Sequence, residues 1–135
     1  MKKEKINQLS DDLSRALKRL SEACRLSGRQ TIVVDAVIQR FEFSFELSWK
    51  LMKEVLAYDG IDALSPRAVI KEGFRTKLIN DGDAWIDMLE DRNKTSHIYD
   101  EKQANDIYVK IKKRHLPLML ALNEQAIERL KNGMG

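Results

Sequence analysis

Eight consecutive positions, Arg92 to Tyr99 in RNKTSHIY, hold an arginine, an asparagine, two hydroxyl residues, a histidine and a tyrosine. Histidine is the side chain best suited to moving protons near neutral pH. Arginine keeps its charge and offers a fixed fork of donors to phosphate. An Arg–His set without a carboxylate cluster suits metal-free phosphodiester cleavage. His97 would take or give the proton and Arg92 would stabilise charge on the phosphorus oxygens. Asn93, one helical turn before His97, could orient the imidazole or bind substrate, and Tyr99 supplies a hydroxyl. On an unbroken α-helix Arg92 and His97, five apart, stand roughly 140° around from each other. They meet only if the helix frays before His97 or the long arginine stem reaches over. A polar helix end is the commoner meaning of such a stretch, and a catalytic pair the sharper one.

Other groups carry weaker signals. Glu42 and Glu46 lie one turn apart in RFEFSFELSWK, among three phenylalanines and Trp49. Carboxylates in such an apolar helix are candidates for buried functional groups. Pairing with Arg40 or Lys50 on the same helix is the favoured expectation. Lys110, Lys112, Lys113, Arg114 and His115 form a basic run that could hold RNA phosphates or simply face solvent. His115 has no chemical neighbour in sequence. Cys24 sits on an apolar helical position and reads as core packing. One cysteine and two histidines cannot build the usual Cys/His zinc site, and no metal or cofactor is expected. No glycine-rich phosphate loop, Ser-His-Asp set or dinucleotide fingerprint occurs.

Helices must position these residues. Ile6, Leu9, Leu13, Ala16, Leu20 and Ala23 recur at 3-4 spacing, which predicts a first helix ending near Ser27-Gly28, where Gly28 would provide a left-handed cap. A second, from about Gln30 to Tyr58, carries Val34, Ile38, Phe41, Phe45, Met52 and Val55. Val37, Phe43, Leu47, Leu51 and Leu56 widen that stripe, so the helix is expected to face both the core and a second subunit. Ser65-Pro66 starts a third helix, to about Ile79. Asp81 or Asp83 caps a fourth, which leads into the motif. Asp100, with Gln103 three residues on, caps a last helix that runs to about Lys131 with a kink at Pro117. The expected fold is all-α: a single up-and-down bundle of about five helices over residues 1–135.

Composition agrees. Hydrophobic residues at 43% and charged residues at 33% describe a soluble, folded chain, and a net charge of +3 allows nucleic acid without implying it. The start, MKKEKINQLSDD, has no apolar run behind its basic residues, and the longest apolar run, Leu116 to Leu122, is far too short to span a bilayer. A cytoplasmic protein is expected.

Three segments in order resemble the HEPN superfamily, and most closely the small nucleotidyltransferase substrate-binding proteins. They are RFEFSFELSWK (Arg40 to Lys50), SPRAVIKEGF (Ser65 to Phe74) and the pattern W-x-x-M-L-x-x-R-N-x-x-S-H-x-Y (Trp85 to Tyr99). The resemblance spans nearly the whole chain. It places the HEPN motif on Arg92, Asn93 and His97, and its tyrosine extension on Tyr99. It implies a HEPN-like helical homodimer whose two motif copies line one cleft. It also implies a partner, a cognate minimal nucleotidyltransferase. Two roles follow from it. In one the protein is a metal-independent RNase toxin, with Arg92 and His97 catalytic, Asn93 supporting, and Tyr99 the residue on which the partner silences it with AMP. In the other it is a non-catalytic subunit that binds nucleotide or substrate for the transferase. Ser96, Glu42 and Glu46 are the further candidates for supporting roles.

Overall fold

Apolar seams at helical spacing leave this chain one way to bury them, helix against helix. The computed structural model describes residues 2–133. Met1, which opens the basic N-terminal stretch, lies outside the described residues, as do Met134 and Gly135. The described residues form α1 (Lys2–Cys24), α2 (Thr31–Tyr58), α3 (Pro66–Arg75), α4 (Gly82–Lys94), α5 (Glu101–Lys110) and α6 (Leu116–Lys131). A 3-10 turn, Thr95–His97, follows α4, and a π-helical turn, Ile111–His115, joins α5 to α6. The last two helices and this turn make one continuous rod, so five rods build an all-α bundle, and no strand occurs among the described residues.

The central rod is α2, packed against α1, α3, α5, α6 and, briefly, α4. Phe41, Phe45, Leu51, Met52 and Val55 are fully enclosed. Phe45 leans on Trp85 of α4 with ring centroids 6.3 Å apart. Burying each such large side chain is worth about 1.5–3 kcal/mol. Ser44 and Ser48 share this buried face because each hydroxyl donates to the carbonyl one turn back, of Arg40 and Ser44, at 2.8 Å. The α1–α6 seam holds one polar lock. Ser10 Oγ donates to Asn123 Oδ1 at 2.8 Å, and Asn123 Nδ2 donates to Ser14 Oγ at 2.7 Å. Every buried polar group in it has a partner, as burial requires. Cys24 is buried at the end of α1, and burial pushes its thiol up, the nearby Lys112 charge opposing.

Phe43, on the widened part of the α2 stripe expected to face a second subunit as well as the core, is 62% exposed in one copy. Two expectations need correction. Gly28 is not in the left-handed region, which Gly60 and Gly133 occupy instead. Its value is close approach, because a Cβ there would lie 2.6 Å from the Tyr108 hydroxyl. The third helix ends at Arg75, not Ile79. The Leu78 N–H reaches the Gly73 carbonyl (2.8 Å) and the Lys77 N–H the Phe74 carbonyl (3.1 Å), with Lys77 at φ 64°. This is a Schellman stop with lysine where glycine usually stands.

A kink is expected at Pro117, and what stands just before it is the π-turn Ile111–His115. A proline there cannot bond to the carbonyl four residues back and crowds it. The π-turn widens the helix just before it, and the Leu116 N–H bonds back to Ile111. No helix among the described residues is long and apolar enough to cross a membrane.

Candidate functional site

Two caps frame the motif. Asp81 Oδ1 accepts from the Ala84 N–H at 3.0 Å and starts α4. Asp100 Oδ1 accepts from the Gln103 N–H at 2.8 Å and starts α5. Gln103 reaches back in turn, its Oε1 accepting from the Tyr99 N–H at 2.8 Å. The reciprocal bond of a capping box therefore falls one residue early and ties down the backbone of Tyr99. Between the caps, hydroxyls close the end of α4. Thr95 Oγ1 lies 2.7 Å from the Arg92 carbonyl, and Ser96 Oγ donates to the Asn93 carbonyl at 3.2 Å. The helix thus tightens into the 3-10 turn that carries His97, before the chain extends at Ile98.

Arg92 turns toward α2. Its Nη1 lies 3.4 Å from Glu42 Oε2 and 3.4 Å from Thr95 Oγ1, and its Nη2 lies 3.9 Å from Glu46 Oε1. The Thr95 hydroxyl sits 2.7 Å from Glu42 Oε2, and Trp49 Nε1 donates to Glu46 Oε2 at 3.1 Å. Glu42 and Glu46 therefore do not pair with Arg40 or Lys50 as expected. The Arg40 guanidinium instead donates to the Arg19 carbonyl at 2.8 Å. The two carboxylates hold Arg92 by loose contacts, its side chain is 27% exposed, and its Nε is buried without a partner. Such a guanidinium stays charged and keeps donor capacity for an anion.

His97 is exposed on the other side of this corner, at the mouth of a cleft of about 380 Å³ that includes Lys94, Ile98, Gln103, Ile107 and Lys110. Asn93 and Ser96 are also exposed, and the Tyr99 side chain is 82% exposed. Within one copy, Arg92 is engaged by α2 while His97 opens toward α5. The structure places all the candidates at one corner but forms no Arg92–His97 hydrogen bond among the described residues. A larger groove, of about 650 Å³, lies elsewhere, between α1 and α2, with Phe43 and Leu47 in its wall.

Sequence reasoning missed the groups behind the motif. His115 is fully buried, its ring stacked on Phe41 at 5.4 Å, and its Nε2 lies 2.7 Å from Asp91 Oδ2. Lys110 Nζ reaches that same oxygen at 2.8 Å and Asp87 Oδ2 at 2.9 Å. Burial pushes the Asp91 carboxyl up, but hydrogen bonds and charge from His115 and Lys110 outweigh it and hold the group below the usual carboxylate range. For Lys110, burial works against the charge, and the two aspartates raise it above the ordinary lysine value. Asp87, Asp91 and His115 have donor atoms within 4.8 Å of one another, a spacing that could suit a metal ion. The cation that meets both carboxylates is the Lys110 ammonium.

The basic run divides: Lys112, Lys113 and Arg114 stay exposed, while Lys110 and His115 turn inward. Lys110 is paired, His115 is buried, Arg114 lies 3.6 Å from Asp87, and Lys112 Nζ donates to the Tyr108 hydroxyl at 3.3 Å. Lys110 and His115 are five apart, about 140° around an α-helix. A π-turn closes i→i+5 bonds, so it brings such residues to one side. Pro117 was the signal in the sequence that the helix is irregular there.

Comparison with known proteins places this geometry among relatives. The profile of the family described as nucleotidyltransferase substrate binding protein like matches residues 8–128. A Haemophilus influenzae protein named probable ribonuclease HepT is 37% identical over 87 residues, 61% of this chain and 60% of that protein. The similarity thus spans about three fifths of that relative's length. A crystal structure of a Thermus thermophilus protein shares 34% identity with a TM-score of 0.73, covering 88% of this chain and 98% of that one. A second, from Haemophilus influenzae, is described as revealing the fold of a substrate binding domain of a nucleotidyltransferase. It shares 28% identity with a TM-score of 0.66, covering 93% of this chain and 98% of that one.

Proposed function

This chain belongs to the nucleotidyltransferase substrate binding protein like family, and from that membership we propose that it is a HEPN-type, metal-independent endoribonuclease paired with a minimal nucleotidyltransferase. In this reading residues 1–135 act as one HEPN-like domain in the cytoplasm, as a homodimer that brings two copies of the motif to one RNA-binding cleft. The observation that carries it is the corner itself. Arg92 is held at the rim by Glu42 and Glu46, with exposed His97 and Tyr99 on the turn that follows. The relative named probable ribonuclease supports the activity.

The chemistry needs only these groups and RNA. A 2′-hydroxyl attacks the adjacent phosphorus and the bond to the 5′-oxygen breaks. The products are a 2′,3′-cyclic phosphate and a free 5′-hydroxyl. The two His97 side chains of a dimer would take the proton from the 2′-oxygen and return one to the leaving oxygen. Arg92 would stabilise the charge that builds on the non-bridging oxygens, with Asn93 and Ser96 binding alongside. Silencing would be attack by the Tyr99 oxygen on the α-phosphorus of ATP, with pyrophosphate leaving. A phenol 82% exposed on a backbone pinned by Gln103 suits that transfer. The test is RNA cleavage by purified protein with chelator present. Wild type should cut and His97→Ala should not, and expression without the transferase should arrest growth. Equal inactivity of both proteins on RNA would remove the reading.

A second reading has its own support. The solved relative described as a substrate binding domain of a nucleotidyltransferase suggests a non-catalytic subunit that presents nucleotide or acceptor. It predicts a stable complex with the transferase and nucleotide binding without cleavage. Calorimetry with the two purified proteins and ATP tests it, and no binding of either kind would exclude it.

A further inference from the structure

We infer that Asp91 and His115 are positioning residues for Arg92: their bond clamps the π-turn to the end of α4 and so sets where the arginine points. The inference rests on the proposed role of Arg92, but its geometry stands independently. Asp91 immediately precedes Arg92 on the last turns of α4 and is 2% exposed. Successive helical residues diverge by about 100°. Locking Asp91 inward against α5 and the π-turn therefore leaves Arg92 directed at α2, where Glu42 and Glu46 receive it.

The arginine's own contacts are too loose to do this alone. Its contacts with Glu42, Thr95 and Glu46 are 3.4 to 3.9 Å long, against 2.7 and 2.8 Å for the two contacts on Asp91 Oδ2. The clamp also has a second anchor. The His115 ring stacks on Phe41, which lies in the same helix one residue before Glu42. One buried histidine thus links the segment before the arginine to the segment that receives it. The cluster meets the His97 cleft through Lys110, 31% exposed, and the edge of Asp91, while the bond between Asp91 (2% exposed) and His115 (0%) lies beneath the surface, so the part of that bond is positional.

Arg92 carries its own reporter, because its Nε is buried and unpartnered. A buried N–H exchanges with solvent only when its surroundings open. The experiment follows the Arg92 Nε–H signal in ¹⁵N-labelled protein, assigned by its loss in Arg92→Lys. His115→Phe keeps a ring on Phe41 and deletes the bond to Asp91, while His115→Gln restores a donor near the Nε2 position. We expect exchange at Arg92 Nε about tenfold faster in the Phe variant and near wild type in the Gln variant, with backbone amides of α1 and α2 unchanged. RNA cleavage should follow the same order, with kcat lowered about 10–100-fold and KM little changed, as expected for misplacement of a catalytic group. If phenylalanine proves too large for the site, Lys110→Met removes the other contact to the same oxygen and should shift Arg92 in the same direction. Unaltered Nε–H exchange in the folded Phe or Met variant would overturn the clamp. So would failure of glutamine to restore it, which would assign the effect to ring packing. If wild type cuts no RNA, the nuclease reading fails while the exchange comparison still decides the clamp.

Discussion

Arg92 and Glu42 face each other 3.4 Å apart across two helices, fifty positions from one another in the chain, with the Thr95 hydroxyl wedged against both. The contact is long for an ion pair and part-exposed on both sides. Its stability value is therefore small, about 0.2–1 kcal/mol. Its effect on function should be larger. In a double-mutant cycle of Glu42→Gln with Arg92→Lys, urea unfolding should show a coupling in that range. RNA cleavage should lose far more in each single variant. A large coupling in stability would recast the pair as a structural strut.

Activity and folding should separate at His97. The side chain is exposed on a 3-10 turn, outside the buried core. His97→Ala should leave stability within about 0.5 kcal/mol. It should lower RNA cleavage about 10²–10⁴-fold, the usual worth of a positioned proton-transfer group. Thermal unfolding measured beside cleavage on one preparation checks both.

Tyr99→Phe isolates the acceptor hydroxyl. Its side chain is 82% exposed, so the substitution should not disturb the fold. Wild type co-expressed with the transferase should gain the mass of AMP residues on Tyr99. The variant should stay unmodified and remain toxic in the presence of the partner. Modification of another residue in its place would move the acceptor.

The Asp91–Lys110 pair predicts a pH signature. The Asp91 carboxyl titrates below its usual range when folded, so its contribution is full above the unfolded value, near about 4, and fades as pH falls through the folded one. The Lys110 ammonium is raised when folded, so its contribution is full below the unfolded value, near about 10.4, and fades as pH rises past it. The stability difference between wild type and Asp91→Asn should thus shrink toward both the acid and the alkaline end. Breaking a buried pair costs about 3–5 kcal/mol, and less here because Lys110 is 31% exposed and can rehydrate. Urea unfolding at a series of pH values measures it. A difference that grows toward acid would refute the assignment to Asp91.

The helices were legible because their signals are local. The 3-4 seam of Ile6 to Ala23 lies buried except for the partly exposed Leu9, and the caps at Ser65, Asp81 and Asp100 all accept the bonds their types suggest. The motif's place at a helix end was legible for the same reason. What stayed hidden depends on distant parts of the chain. Glu42 chose Arg92 over its helical neighbours because α4 docks beside it, and no spacing rule encodes that. His115 looked solitary because its partner is 24 positions away on another helix. Phe43 follows the apolar rhythm of α2 yet points outward, since periodicity measures phase and not what lies opposite.

The π-turn also resolves a mismatch in arithmetic. Ile107, Ile111, His115 and Met119 are all enclosed and recur at 4-4-4. Each step of four overshoots a helical turn by about 40°, so three steps drift by roughly one residue's rotation. The wide turn absorbs that surplus, acting as a phase shifter between two straight segments. Deleting a single residue from 111–115 would make a more regular helix by itself. Because the turn already absorbs one residue's rotation, that deletion would leave the apolar face of α6, from Met119 to Ala126, near its seat, whereas a deletion in the α-helical parts of the rod would rotate it by about 100°. Length in those α-helical parts is therefore as tightly specified as any core side chain, whereas IKKRH, which a sequence scan would mark as ordinary solvent-facing charge, is where the rod holds a residue to spare.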